Sequence, residues 1–106
     1  MSEWAIEYTK EAVADLKALD RTLQLLVLKA IEKVSANPLP NSEGGYGKPL
    51  GNHLSSKLAG YMKIKLLKAG LRVVYGLVRE GSIMRIIIIS VRDDETVYKL
   101  AQERIK

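Results

Sequence analysis

The spacing of apolar residues changes period several times along the chain, and each change marks an element. Over residues 3–8, Trp4, Ile6 and Tyr8 alternate with Glu3, Ala5 and Glu7, which predicts a short strand. Thr9 can then cap a helix whose apolar positions, Ala12, Val13, Leu16 and Leu19, form one stripe. Asp20 is the next capping residue. The helix it opens places Leu23, Leu26, Val27, Ala30, Ile31 and Val34 at steps of three and four, and Pro38 and Pro40 end it.

Residues 37–56 are rich in Gly, Pro, Asn and Ser, which predicts an extended connection with one ordered turn around Leu50 and Leu54. The "GGYGKPLG" within it is not a phosphate loop: its glycine spacing is wrong and no capped helix follows the lysine. Period-two runs at 61–67 and 71–78 flank "KAG", a hairpin turn in which Gly70 can take a positive φ. A third strand over 83–91 follows a turn at Glu80 and Gly81. Its four consecutive isoleucines imply burial on both faces, hence an interior position. From Asp94 a closing helix presents Val97, Leu100, Ala101 and Ile105 as its inner face. The order β-α-α-β-β-β-α predicts a small α+β fold over residues 1–106 as one domain. It is a twisted, mostly antiparallel sheet packed by an N-terminal helical hairpin and a C-terminal helix.

Composition narrows the chemistry. The 106 residues include no Cys, which excludes disulfides, thiolate catalysis and Cys-ligated metal sites. The amino terminus lacks the basic-then-apolar profile of a secretion signal. No apolar run approaches the roughly 20 residues that cross a bilayer. The expectation is a soluble cytoplasmic protein with no membrane partner. The sole histidine, His53, has no companion nucleophile, and no paired-carboxylate, HExxH or Ser-His-Asp pattern occurs.

Charge adds direction. The net charge is +5, but residues 1–56 carry 6 Lys/Arg against 7 Asp/Glu, whereas residues 57–106 carry 11 against 5. A positive field concentrated in one half suits a polyanionic partner, nucleic acid or an acidic protein. Lys63 and Lys65, two apart on a strand, project together, while Met62, Ile64 and Leu66 point into the core. Arg72 lies just across the hairpin turn, Arg92 at the end of the interior strand, and Tyr98 about one turn into the last helix. Together they would form a hollow of four cations and one phenol. Such a hollow suits RNA self-cleavage, in which the 2′-hydroxyl attacks the adjacent phosphate and negative charge grows on the phosphoryl oxygens. Arg grips two phosphate oxygens, and Lys acts as a point charge. Neighbouring cations favour the phenolate form of Tyr98, a base for the 2′-hydroxyl, and Lys65, crowded by like charge, is a further candidate proton carrier. Read singly, the same residues have plainer roles. Lys63 and Lys65 suit a solvated strand face, Arg72 an ion pair with Glu80 or Glu95, Arg92 a helix start beside Asp93 and Asp94, and Tyr98 a core rim.

Three segments, "AVADLKALD", "LSSKLAGYMKIKLLKAGLRVVYGLV" and "IIIISVRDDETVYKLAQERI", resemble the RelE branch of the RelE/ParE toxin superfamily, in the same order and over nearly the whole chain. The resemblance implies the toxin of a type II toxin–antitoxin system. Such a toxin is a metal-independent endoribonuclease that needs no cofactor and cuts mRNA in the ribosome, and a cognate antitoxin protein disables it. Carried over by position, Lys63 and Lys65 become phosphate-contacting lysines, Arg72 the transition-state stabiliser, Arg92 the assistant of the leaving group and Tyr98 the base. "RDDETVY" is shorter than the equivalent link in well-known members, and Asp94 stands where a further basic residue would be similar to the family pattern. The ParE branch of the same fold, which inhibits DNA gyrase, and an inactive member that only binds an acidic protein are the alternatives. Retention of all five residues favours the nuclease.

Overall fold

Thr9 and Asp20 set the path of the first third of the chain. In the computed structural model, which describes residues 4–50, 60–90 and 94–105, Thr9 Oγ1 accepts the Ala12 N–H at 3.1 Å and Asp20 Oδ1 accepts the Leu23 N–H at 2.9 Å. Each satisfies a donor that the first helical turn leaves without a partner. Strand β1 (Ala5–Tyr8) therefore passes directly into helix α1 (Lys10–Lys17), and α1 into α2 (Arg21–Ser35). Gln24 fastens this hairpin, its Nε2 donating to the carbonyls of Leu16 and Leu19, both at 3.0 Å.

Strands β2 (Lys48–Pro49), β3 (Tyr61–Leu66), β4 (Leu71–Val78) and β5 (Ile83–Ser90) precede α3 (Asp94–Arg104). The sheet order is β1-β5-β4-β3-β2, with β1 parallel to β5 and the other neighbours antiparallel. The architecture is α+β, as the pattern predicts, and the elements agree closely. The strand expected over 83–91 runs to Ser90, and Val91 lies outside the described residues. Among the described residues no helix is long and apolar enough to cross a membrane.

The isoleucine run is buried by an irregularity rather than by simple alternation. Val74 faces Ile88, but the next residue, Tyr75, faces Ile86, so Ile87 is an extra residue in β5. Ile86 and Ile89 consequently enter the core beneath α1 and α2, with Ala12, Val27, Ile31, Val73 and Tyr75. Ile87 and Ile88 enter a second core on the opposite face, with Leu50, Val74 and, from α3, Val97 and Ala101. The stripe positions Val13 and Leu26 remain exposed at the helix flanks, because the sheet covers a narrower arc of each helix than the apolar spacing offers.

Beyond Tyr8, β1 no longer borders β5, and two side chains take its place. Asp15 Oδ2 accepts the Ile89 N–H at 3.0 Å, and Arg104 Nη1 donates to the Ile87 carbonyl at 2.8 Å. The two side chains also pair with each other at 2.7 and 3.2 Å, with only 16% of Arg104 and 20% of Asp15 exposed. This cluster joins α1, the bulge and the end of α3.

The segment expected as an extended connection is folded upon itself. The Asn37 carbonyl accepts the Tyr46 N–H at 2.9 Å, and the Leu39 carbonyl accepts the Gly47 N–H at 3.0 Å. A one-turn 3₁₀ helix at Asn41–Glu43 ends at Gly44, whose φ of 84° a side chain would strain. Arg79 reaches over from the β4–β5 turn and grips the Glu43 carboxylate at 2.8 and 3.1 Å, which holds that carboxyl below its usual range. Tyr75 anchors the loop from within: fully buried, it donates its hydroxyl to the Pro38 carbonyl at 2.8 Å. A Cβ on Gly47 would lie 2.5 Å from that hydroxyl, so only glycine fits there. Leu50 is buried as expected, and Leu54 lies outside the described residues.

Two stability measurements test these anchors. Burial raises the Tyr75 phenol above its ordinary value. The folded pKa thus exceeds the unfolded one, so this contribution to stability is present below about pH 10 and is lost as pH rises beyond it. Urea midpoints should fall above about pH 10 in the parent and less steeply in Tyr75→Phe, which at neutral pH loses about 1 kcal/mol with its hydrogen bond. Asp15→Ala should cost about 2 kcal/mol, between the values for exposed and fully buried pairs, because it strands both Arg104 and the Ile89 N–H.

Candidate functional site

The hairpin of β3 and β4 brings the predicted cations together by register. Lys65 lies directly opposite Arg72, and Arg72 opposite Ser90 at the end of β5. One step along, Lys63 lies opposite Val74, and on its other side opposite Lys48 of β2. Directly opposed residues share a face. Val74 and Ile88 mark that face as the one α3 covers. Lys48, Lys63, Lys65 and Arg72 therefore stand on one surface, at the margin of the second core. Met62, Ile64 and Leu66 point the other way into the first core, as the alternation predicts.

The placement of Arg72 rules out one of its plainer roles. It is the second residue of β4, whereas Glu80 follows the strand's far end, about 20 Å away at the rise of a strand. Arg72 instead donates Nη1 to the Leu71 carbonyl at 3.2 Å, which steadies the guanidinium against its own backbone. Setting Lys65 beside Arg72, and Lys48 beside Lys63, opposes like charges across strands, an arrangement that an anion relieves.

Tyr98 belongs to α3 and directly follows Val97, whose side chain packs in the second core. Its own side chain lies outside the described residues, as do Arg92 and His53 entirely. Arg92 follows Ser90 by two positions in the chain, and Ser90 is the residue opposite Arg72. The structure thus unites Lys63, Lys65 and Arg72 and brings the backbone of Tyr98 over the same face.

Sequence reasoning missed Lys48. It sits in a loop of no regular period, and only the pairing of β2 with β3 reveals it as the neighbour of Lys63. Beside it, between the last turns of α2 and the edge of β3, lies a groove of about 340 Å³. Ala30, Val34 and Ile64 form its apolar floor, and Lys33, Lys48, Lys63, Lys65 and Tyr46 surround it, with Leu67 at one end. Among the described residues no three His, Asp or Glu side chains cluster as metal ligands would.

No protein-family model matches the sequence. A RelE-like toxin protein of Escherichia coli is 28% identical over 107 residues, spanning 97% of this chain and 98% of that protein. Among solved structures, the Mycobacterium tuberculosis RelBE2 toxin–antitoxin complex contains a chain that is 25% identical, with a TM-score of 0.67 over 87% of this chain and 94% of that one. A free arginine-to-alanine double mutant of the E. coli toxin RelE superposes along all of both chains with a TM-score of 0.74 at 23% identity, a likeness of fold. The intact E. coli RelBE complex gives 0.64 at 20% identity, over 85% of this chain and 98% of that one. The chain is thus similar along nearly its full length to a RelE-like toxin protein and shares the fold of RelE toxins.

Proposed function

We propose that the chain is the toxin of a type II toxin–antitoxin pair and that it cleaves mRNA held in the ribosome. The observation that supports this reading is the register pairing of Lys65 with Arg72, with Lys63 next along the strand, on the face that α3 overlies. In this reading the sheet is a rigid platform on which three cations are fixed before substrate arrives.

The proposed reaction needs charge stabilisation and two proton transfers. The RNA 2′-oxygen attacks the neighbouring phosphorus and loses its proton to a base, for which Tyr98 is the candidate. Negative charge accumulates on the non-bridging oxygens, where Arg72 takes two of them and Lys63 and Lys65 add point charge. The phosphorus–O5′ bond breaks, and the departing oxygen takes a proton from water, with Arg92 beside it as hydrogen-bond donor. The products are a 2′,3′-cyclic phosphate and a free 5′-hydroxyl. The cations supply the stabilisation that a metal would otherwise give, so the reading calls for no metal or cofactor. The relatives solved with antitoxins support a protein partner, and in this reading that partner covers the basic surface at rest. A substrate on the ribosome places the action in the cytoplasm.

Induced expression followed by mapping of mRNA 5′ ends tests the reading. Cuts should fall inside translated codons, and the new 5′ ends should require phosphorylation before they ligate, as hydroxyl ends do. Intact transcripts with inhibited DNA supercoiling would instead identify a gyrase inhibitor, and neither effect an inactive binding protein. Arg72→Ala should lower cleavage of ribosome-bound mRNA about 100-fold or more, the usual effect of removing one transition-state donor, and abolish growth arrest. Its unfolding free energy should stay within about 0.5 kcal/mol of the parent's, because the side chain sits at the core margin. Unchanged toxicity in Arg72→Ala would refute the assigned role.

A further inference from the structure

The groove beside β3 contains a group that phosphate chemistry does not require. Tyr46 is 56% exposed at its rim, yet its backbone is fixed. Its N–H donates to the Asn37 carbonyl at 2.9 Å, and the N–H groups of Gly45 and Gly47 donate to Pro40 and Leu39 at 3.1 and 3.0 Å. Both flanking glycines pack so closely, Gly45 on the Leu39 backbone and Gly47 on Tyr75 and Met62, that the loop has one way to sit. An exposed aromatic side chain on an ordered backbone is a ready platform for another flat ring.

The charge around it selects the ring's bearer. Lys33, Lys48, Lys63 and Lys65 surround the groove, and among the described residues no Asp or Glu lines it. Basic side chains along a groove with an aromatic face beside them are the recognition pattern for single-stranded nucleic acid, with phosphates on the cations and a base on the ring. A volume of about 340 Å³ falls in the small-ligand range of roughly 300 to 1,000 Å³. Two of its lysines, Lys63 and Lys65, also belong to the cation row, so the groove, whose floor faces α2, meets that row around the edge of β3. An acidic peptide would satisfy the charge but would leave the exposed aromatic face without a use.

We propose that this groove is a nucleotide subsite: a base of the single-stranded RNA next to the reacting phosphate stacks on Tyr46 while Lys48 and Lys33 take its backbone phosphate. The proposal rests on the RNA-cleaving reading and deepens it, naming a strand-positioning device outside the reaction centre. Tyr46 touches no reacting atom. Its role is to hold the strand in line.

The test uses a short single-stranded RNA with 2′-O-methyl groups throughout, which cannot be cut, and reads its binding to the full chain by fluorescence anisotropy at low salt. Tyr46→Ala should weaken binding about 5- to 150-fold, the range for loss of one stacked base. Tyr46→Phe should bind as the parent does. Tyr46→Leu, apolar but not flat, should behave as Tyr46→Ala. Lys48→Gln should reduce the log–log salt slope by about 0.7, as loss of one phosphate contact on a single strand does. Circular dichroism melts check that the exposed substitutions leave the fold intact. Equal binding by Tyr46→Ala and the parent, retention in Tyr46→Leu, or no binding by the parent would each overturn the subsite. So would a polyglutamate peptide that binds as tightly and depends on Tyr46 in the same way, which would make the groove a protein-docking surface. The two readings fail separately. Tyr46-dependent binding without any mRNA cleavage leaves the subsite and removes the nuclease. Cleavage in cells with Tyr46-independent binding leaves the nuclease and removes the subsite.

Discussion

The extra residue in β5 governs much of the molecule. A strand of strict alternation would send Ile86 and Ile88 to one face and Ile87 and Ile89 to the other. With the bulge, the inner pair Ile87 and Ile88 builds the seat of α3, and the outer pair Ile86 and Ile89 closes the core under α1 and α2. The bulge also fixes which residues follow it in register, so Ser90 arrives opposite Arg72 at the end of β5. Backbone groups that a bulge and a finished strand leave unpaired cannot stay so in a partly buried place. Asp15 and Arg104 meet them, and in doing so fasten α3 to the α1 side of the sheet. One inserted residue therefore links the two cores, the last helix and the position of the candidate site.

Charge is handled in two ways on this surface. Arg79, Arg85 and Arg104 each meet a carboxylate, from Glu43, Glu7 and Asp15, at 2.7 to 2.8 Å. These contacts tie distant parts of the chain together: the β4–β5 turn to the folded loop, β5 to β1, and α3 to α1. On β2, β3 and β4 the register also sets cation opposite cation, at Lys48 and Lys63 and again at Lys65 and Arg72. A row of cations so placed favours a negatively charged partner.

Local features were legible in the sequence. Thr9 and Asp20 cap the helices they were expected to cap, the 71–78 strand has the bounds its pattern gave, and Gly70 takes a φ of 68° in the predicted turn. Each depends on a few consecutive residues. What the sequence hid depends on distant ones. The parallel pairing of β1 with β5 joins residues nearly eighty positions apart, and the bulge emerges only when Val74 and Tyr75 are set against 86–88. The loop at 37–50 reads as irregular because its order comes from Tyr75 and from tight glycine packing, neither of which leaves a period. Lys63, Lys65 and Arg72 could be placed together because a hairpin with a short turn dictates their register. Lys48 and Tyr46 could not, since their position follows from that loop.

The outermost strands carry a quieter consequence. β2 is two residues long and ends in Pro49, which has no N–H to offer a neighbour, and β1 is only four residues long. A sheet left open at its margins can recruit further copies edge to edge and grow into filaments, and short strands, prolines and lysines are what prevent it. Lys48 and Pro49 place two of these obstacles at one margin. The chain can thus remain dispersed when nothing shields it, so its basic surface stays available instead of being lost to self-assembly.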